Sequence, residues 1–208
     1  MTLSSAARLV AAAALACTTF FAVPVSPASA QTIAGHLSVR VYDFSALDSP
    51  VRASAVDEAR AILADAGVTA AWHDCTRSEA CAPEAGDLVI RVVREAVAPG
   101  FQWRRSLGYS VIDPAAGTGT LATVYVNRVQ DSARHAGADL GLLLGRAIAH
   151  EVGHLILRTN EHGEQGLMRA VWTEQEMVRN DHDDWVFATP ERRQIRSALQ
   201  RTSRSAAR

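Results

Sequence analysis

Short apolar stretches and longer stretches with helical spacing follow one another along residues 37–200, and this order predicts an α+β fold. Alternating or continuous apolar runs predict five strands, at 37–44, 68–73, 88–93, 108–112 and 121–126. Apolar residues at helical spacing predict a helix after the first strand, with Pro50 in its first turn and Gly67 at its end. Further helices are predicted after the last strand, over 139–159, 173–180 and 189–200.

The predicted helix at 139–159 is apolar on nearly every side, which is typical of a helix buried in a core. The preceding strand, 121–126, has two interpretations. It is either an interior strand or a strand that lines a cleft and offers its backbone to an extended peptide. Because no repeat or linker interrupts the pattern, we expect one domain over residues 31–200 and a flexible tail over 201–208.

Residues 1–30 have the pattern of a secretory signal peptide. Arg8 is the only charged residue in this stretch, an apolar run covers 9–25, and Ala28 and Ala30 precede a cleavage site before Gln31. A membrane anchor is the alternative interpretation. We therefore expect a secreted or periplasmic protein that has no membrane contact after cleavage.

Cys75 and Cys81 are separated by five residues in a polar segment, and they are the two cysteines that remain after signal cleavage. In an oxidising compartment such a pair predicts a local disulfide. The alternative is a pair of metal ligands, for which His73 is the nearest additional candidate.

Charge and composition narrow the classes of protein further. The chain has 21 basic residues, all of them arginine, and 22 acidic residues, for a formal net charge of −1. This balance lacks the basic surface expected of a nucleic-acid-binding protein. Apolar residues at 48% and charged residues at 21% are ordinary for a globular domain.

The predicted buried helix contains the motif H-E-x-x-H, formed by His150, Glu151 and His154. Histidines four positions apart lie on one helix face, where both imidazoles can hold one Zn²⁺. Glu151 is placed beside a metal-bound water and can act as its general base. The motif therefore predicts one catalytic zinc ion.

A catalytic zinc needs a third protein ligand, and the sequence offers two candidates. His162 comes shortly after the helix, at a point where Asn160 can end the helix in a left-handed conformation. Glu174 lies in the first turn of the next predicted helix. The acidic run at 181–184 could also bind a cation, although a solvated turn is the simpler interpretation.

These residues resemble the zincin superfamily of zinc metallopeptidases, and the matrixins and archaemetzincins of the metzincin clan in particular. Secreted bacterial proteins have a similar pattern, which occurs here as His150, Glu151, Gly153, His154, Leu155, His162, Gly166, Met168 and Arg169. The resemblance implies a twisted mixed sheet, His162 as the third ligand and a methionine turn at Met168. The chain departs from H-E-x-x-H-x-x-G-x-x-H, because position 157 is not glycine and the third histidine comes two residues late.

The motif and the resemblance together predict a secreted zinc endopeptidase that acts on peptides or proteins, with Glu151 as the base. One alternative is an inactive zincin-like domain that binds metal and a partner. Another is a zinc hydrolase of a non-peptide amide. Glu151 favours an enzyme, because a binding domain has no need of a carboxylate beside the metal-bound water.

Overall fold

The computed structural model describes residues 37–76, 81–94, 106–113, 115–116 and 118–206, with side chains described up to Arg201. The predicted signal peptide and its cleavage site lie outside these residues. The signal peptide and the domain limits of 31–200 therefore stay predictions.

A mixed sheet of five strands forms the framework of the fold. The strands are β1 (Leu37–Asp43), β2 (Ala70–Asp74), β3 (Leu88–Val93), β4 (Gly108–Asp113) and β5 (Thr118–Tyr125). Their order is β2-β1-β3-β5-β4, and all neighbours are parallel except β4, which runs antiparallel to β5. The predicted α+β class is confirmed. Strand β5 lies inside the sheet, so the interpretation of 121–126 as a cleft-lining edge strand is wrong.

The helices are α1 (Ser49–Asp65), α2 (Val126–Ala136), α3 (Leu140–Leu157), α4 (Glu174–Arg179) and α5 (Thr189–Ala206), with a short 3-10 turn at His182–Asp184. Helix α2 was not predicted, because Val126 follows β5 directly and the helix buries only four residues, two of them alanines. Helix α5 continues to Ala206, six residues beyond its predicted end, and the flexible tail over 201–208 stays a prediction.

Helix α3 lies at the centre of the domain. It is long and apolar enough to cross a membrane, but 83% of it is buried inside the fold, as expected of a core helix. Its close contact with α1 depends on Gly145, where an added Cβ would lie 2.5 Å from the Ala55 carbonyl oxygen. The carboxylate of Asp139 caps the helix by accepting a hydrogen bond from the Leu142 amide at 2.8 Å.

The predicted pair of cysteines, Cys75 and Cys81, is joined in a disulfide with the Cα atoms 5.4 Å apart. The cysteines are therefore not metal ligands. The Tyr42 hydroxyl donates a hydrogen bond to the Cys81 carbonyl, which fixes the end of this loop against β1.

Candidate metal centre

Helix α3 presents His150, Glu151 and His154 at the floor of a cleft. Their exposed fractions are 8%, 5% and 4%, so all three polar side chains are buried. Burying three such groups together is costly unless each is satisfied by a specific partner. The partners of each group therefore indicate what the cluster is built to hold.

Both histidines are oriented by backbone carbonyls. The Nδ1 atom of His150 lies 2.8 Å from the Leu167 oxygen, and the Nδ1 atom of His154 lies 2.8 Å from the Thr159 oxygen. Since a carbonyl only accepts, each Nδ1 carries the hydrogen, and each Nε2 in a neutral ring presents a lone pair. The two Nε2 atoms face each other at 3.0 Å. Two lone pairs at this distance repel each other unless a cation lies between them.

Burial keeps these imidazoles neutral. It lowers the pKa of His150 to about 3 and the pKa of His154 to about 4, and the neighbouring histidines act in the same direction. Burial also lowers the pKa of His162. Neutral imidazole is the form that ligates a metal.

The chain reverses directly after α3 and brings His162 back to the other two histidines. Arg158 ends the helix with φ 58°, and its amide donates to the His154 carbonyl at 2.7 Å. The sequence predicts Asn160 as the left-handed residue that ends the helix. That prediction is wrong, because Arg158 takes this conformation. The returning loop is fixed by the Gly163 amide, which donates to the Met168 carbonyl at 2.8 Å. Ligand nitrogens of all three histidines then lie within 4.8 Å of one another.

The other candidate ligands lie elsewhere. Glu174 is exposed on the first turn of α4 and is not part of the histidine cluster. In the acidic run at 181–184, Asp181 and Asp184 both pair with Arg179, and Asp184 also lies 3.9 Å from Arg169. These two carboxylates therefore pair with arginines, and neither belongs to the histidine cluster.

Glu151 sits beside the histidine cluster and is held by the edge strand. The Ser110 hydroxyl of β4 donates to Glu151 Oε2 at 2.7 Å. A Cβ added at Gly108 would lie 2.7 Å from Glu151 Oε1, so only glycine leaves room for this carboxylate. Burial raises the pKa of Glu151 to about 7, although the Ser110 hydrogen bond opposes that shift. The sequence carries no local signal for Ser110 or Gly108, because the pairing of β4 with α3 is long-range.

Met168 packs against α3 at Gly153, within the H-E-x-x-H motif. It is 1% exposed, and its Sδ would be 2.7 Å from a Cβ added at Gly153. Glycine at position 153 is therefore what allows the segment carrying Met168 to pack against the helix. The Leu167 carbonyl, which accepts from His150, also accepts from the Trp172 indole at 3.2 Å. The segment 167–172 thus fixes His150 from outside α3.

The cluster opens into a cleft of about 720 Å³. One wall is the edge strand β4 with the two residues before it, and another wall is the segment 169–172. Tyr109 and Val171, on these two walls, are 46% and 60% exposed. The edge of the described sheet therefore borders the cleft directly above Glu151.

The donor set fits zinc. It consists of three neutral imidazoles, two of them oriented by backbone carbonyls, and an open side that faces the cleft. The ligand nitrogens of the three histidines lie within 4.8 Å of one another, close enough for one ion to be bound by all three. His150, His154 and His162 are the residues that would hold the ion.

Solved structures of zinc peptidases share this fold. An archaemetzincin from Methanopyrus kandleri matches with a TM-score of 0.55 and 17% identity, over 80% of this chain and 97% of its own. A zinc-dependent peptidase from Methanocorpusculum labreanum matches with a TM-score of 0.50 and 14% identity, over 76% and 99%. No family model matches the sequence, and no curated protein is significantly similar to it. At these identities the likeness establishes an archaemetzincin-like zinc-peptidase fold.

Proposed function

We propose that the chain is a secreted zinc-dependent endopeptidase. The observation that carries this proposal is the buried carboxylate of Glu151 beside three neutral histidines at the floor of an open cleft. The zinc-peptidase fold of the two neighbouring structures supports it. The sequence pattern of residues 1–30 is the support for secretion.

Bound zinc would polarise the scissile carbonyl and lower the pKa of a water molecule. Glu151 then accepts a proton from the attacking water and delivers it to the leaving amine. The Ser110 hydroxyl holds the carboxylate toward the cleft during both transfers. The cluster of backbone-anchored histidines keeps these groups fixed relative to one another.

An extended peptide fits the free edge of β4. This strand is last in the described sheet and borders the cleft, so its unpaired backbone groups can bond a substrate strand. Tyr109 and Val111 are exposed on this strand, where they can contact substrate side chains. A cleft that runs along an open strand edge accepts the middle of a chain, which favours an endopeptidase.

Replacing Glu151 tests the proposal. Glu151→Gln keeps the shape of the side chain and removes the base, so zinc content should be unchanged while cleavage of a peptide library falls by about a hundredfold or more. Glu174→Gln, an exposed carboxylate outside the cluster, is the matched control and should keep full activity. The mature chain from Gln31 should be assayed with the disulfide intact.

Two outcomes would favour the alternatives. A wild type that holds zinc but cleaves no peptide favours the inactive binding domain. Hydrolysis of small amides without cleavage of peptides favours a hydrolase of another class. Equal rates for wild type and Glu151→Gln would refute the role of Glu151 as the base.

A further inference from the structure

Positive charge is concentrated on the last helix. Helix α5 has five arginines and one acidic residue, for a net charge of +4, whereas the rest of the chain has 16 arginines and 21 acidic residues, for −5. The net charge of the whole chain is nearly zero because a strongly basic helix offsets the acidic rest of the chain.

One face of α5 is buried and the opposite face is basic. Ile195 and Leu199 pack into the core, with exposed fractions of 0% and 7%. Arg193, Arg196 and Arg201 are all exposed. Arg196 is three residues from Arg193 and Arg201 is eight residues from it, which places both within about 80° of Arg193 around the helix, so these arginines form one row. We call them the α5 arginine row.

The row is not neutralised within the part of the chain that the structure describes. Carboxylates pair with Arg40, Arg52, Arg60, Arg134, Arg146, Arg169, Arg179 and Arg192. By contrast, Arg193 and Arg196 bond the carbonyls of Thr189 and Arg192 in their own helix, at 3.5 and 3.3 Å. Bonds of this kind leave the positive charge of the row uncompensated.

The row also borders a cavity, and the helix that carries it contacts the loop of the third histidine. Arg193 and Arg201 line a cavity of about 340 Å³, together with Ser197 and with Leu157 at the end of α3. The first turn of α5 reaches the loop of the third histidine, where a Cβ added at Gly163 would contact the Glu191 carboxylate. The first turn of α5, which directly precedes the row, therefore lies beside the chain segment that carries His162.

We propose that the α5 arginine row binds an acidic stretch of polypeptide. Arg193 and Arg201 are eight residues apart, about 12 Å along the helix, which an extended peptide spans with about four residues. A narrow flexible peptide can follow the row and avoid the acidic body, whereas a flat anionic membrane would face both. The outer face offers arginine guanidinium groups, which bind carboxylates in bidentate fashion. The identity of this stretch rests on the proposed function: it belongs to a protein substrate, which the row thereby holds near the cleft.

Peptide binding tests the row without any need for catalysis. Fluorescence anisotropy should show that a labelled peptide of about six glutamates binds zinc-loaded protein, that added salt weakens the binding, and that the glutamine counterpart does not bind. The triple variant Arg193→Gln/Arg196→Gln/Arg201→Gln should weaken binding about tenfold, the combined effect of several exposed ion pairs. The control Arg60→Gln/Arg91→Gln/Arg94→Gln removes the same charge elsewhere and should bind like wild type.

Three outcomes would overturn the proposal. These are no binding of the glutamate peptide, an equal loss in both triple variants, and a row-dependent affinity for phosphatidylglycerol vesicles alone. A second arm tests the link to the cleft: an acidic extension on a cleaved peptide should lower KM and leave kcat unchanged, and only the row variant should abolish that gain. If the protein cleaves nothing, the anisotropy result still stands, so failure of the row and failure of the proposed function are distinguishable.

Discussion

Acidification of the metal-free protein should destabilise it between pH 6.5 and 4.5. The buried imidazoles of His150 and His154 have pKa values of about 3 and 4, against 6.5 when exposed in the unfolded chain. The unfolded chain therefore binds two protons in this interval that the folded chain does not bind. Glu151 acts in the opposite direction, because its pKa rises from 4.5 to about 7 and the folded chain holds its proton. Counting these three groups, the unfolded chain binds one proton more than the folded chain, and the lowered pKa of His162 adds to the difference.

A difference of one proton sets the slope. It corresponds to about 1.4 kcal/mol per pH unit, so the free energy of unfolding should fall by roughly 2 to 3 kcal/mol across the interval. In Glu151→Gln the opposing proton is absent and the slope should be about twice as steep. The carboxyls of Asp74 and Asp87 do not interfere, because their pKa values lie below 3.8 and their stabilising charge is lost only at lower pH.

Urea unfolding measures this effect. Chelator-treated protein with an intact disulfide would be unfolded at several pH values between 4.5 and 6.5, with the fluorescence of its four tryptophans as the signal. Glu174→Gln, an exposed carboxylate, is the control and should keep the wild-type slope. A flat wild-type profile would refute the reasoning. It would mean that the Nε2 atoms of His150 and His154, 3.0 Å apart, share a proton in the metal-free fold.

Two further predictions concern the loop after α3. His162→Ala should weaken Zn²⁺ binding far more than Glu174→Ala, because a nitrogen of His162 lies within 4.8 Å of the ligand nitrogens of His150 and His154. Competition with a chromophoric chelator measures the zinc affinity of both variants. A greater loss in Glu174→Ala would make Glu174 the ligand. Arg158→Gly should raise the free energy of unfolding by about 1 kcal/mol, since φ at this exposed residue is 58°. Denaturant titration measures it against Arg60→Gly, an exposed mid-helix control that should lose about 1 kcal/mol. Loss of stability in Arg158→Gly would show that the fold needs its side chain.

Local periodicity was sufficient for the elements that carry the metal ligands. Helix geometry alone places His150 and His154 on one face, and the apolar surroundings of the motif predict that α3 is buried. The apolar run of β3 likewise predicts the strand with the bounds observed, Leu88–Val93. Such features depend on residues a few positions apart, which is the range over which sequence patterns are informative.

Contacts between distant segments could not be predicted in the same way. Ser110 reaches Glu151 across 41 residues, and its role depends on β4 lying at the edge of the sheet rather than β5. Strand order is set by how whole elements pack, and no pattern within β4 or β5 encodes it. Helix α2 was missed for a related reason, because its buried residues are small and its start has no cap that the sequence reveals.

The late third histidine shows how an unusual spacing still assembles one cluster. In H-E-x-x-H-x-x-G-x-x-H the glycine stands three residues after the second histidine, where a left-handed residue would end the helix. Here Arg158 takes that conformation four residues after His154, so α3 is longer by one residue. His162 then follows Arg158 by four residues instead of three, and the turn absorbs the second extra residue. The Gly163 amide donates to the Met168 carbonyl, which holds the returning loop beside α3. The position of the ligand is therefore governed by where the helix ends and where the loop is anchored, and a fixed count of residues is only one way to satisfy both.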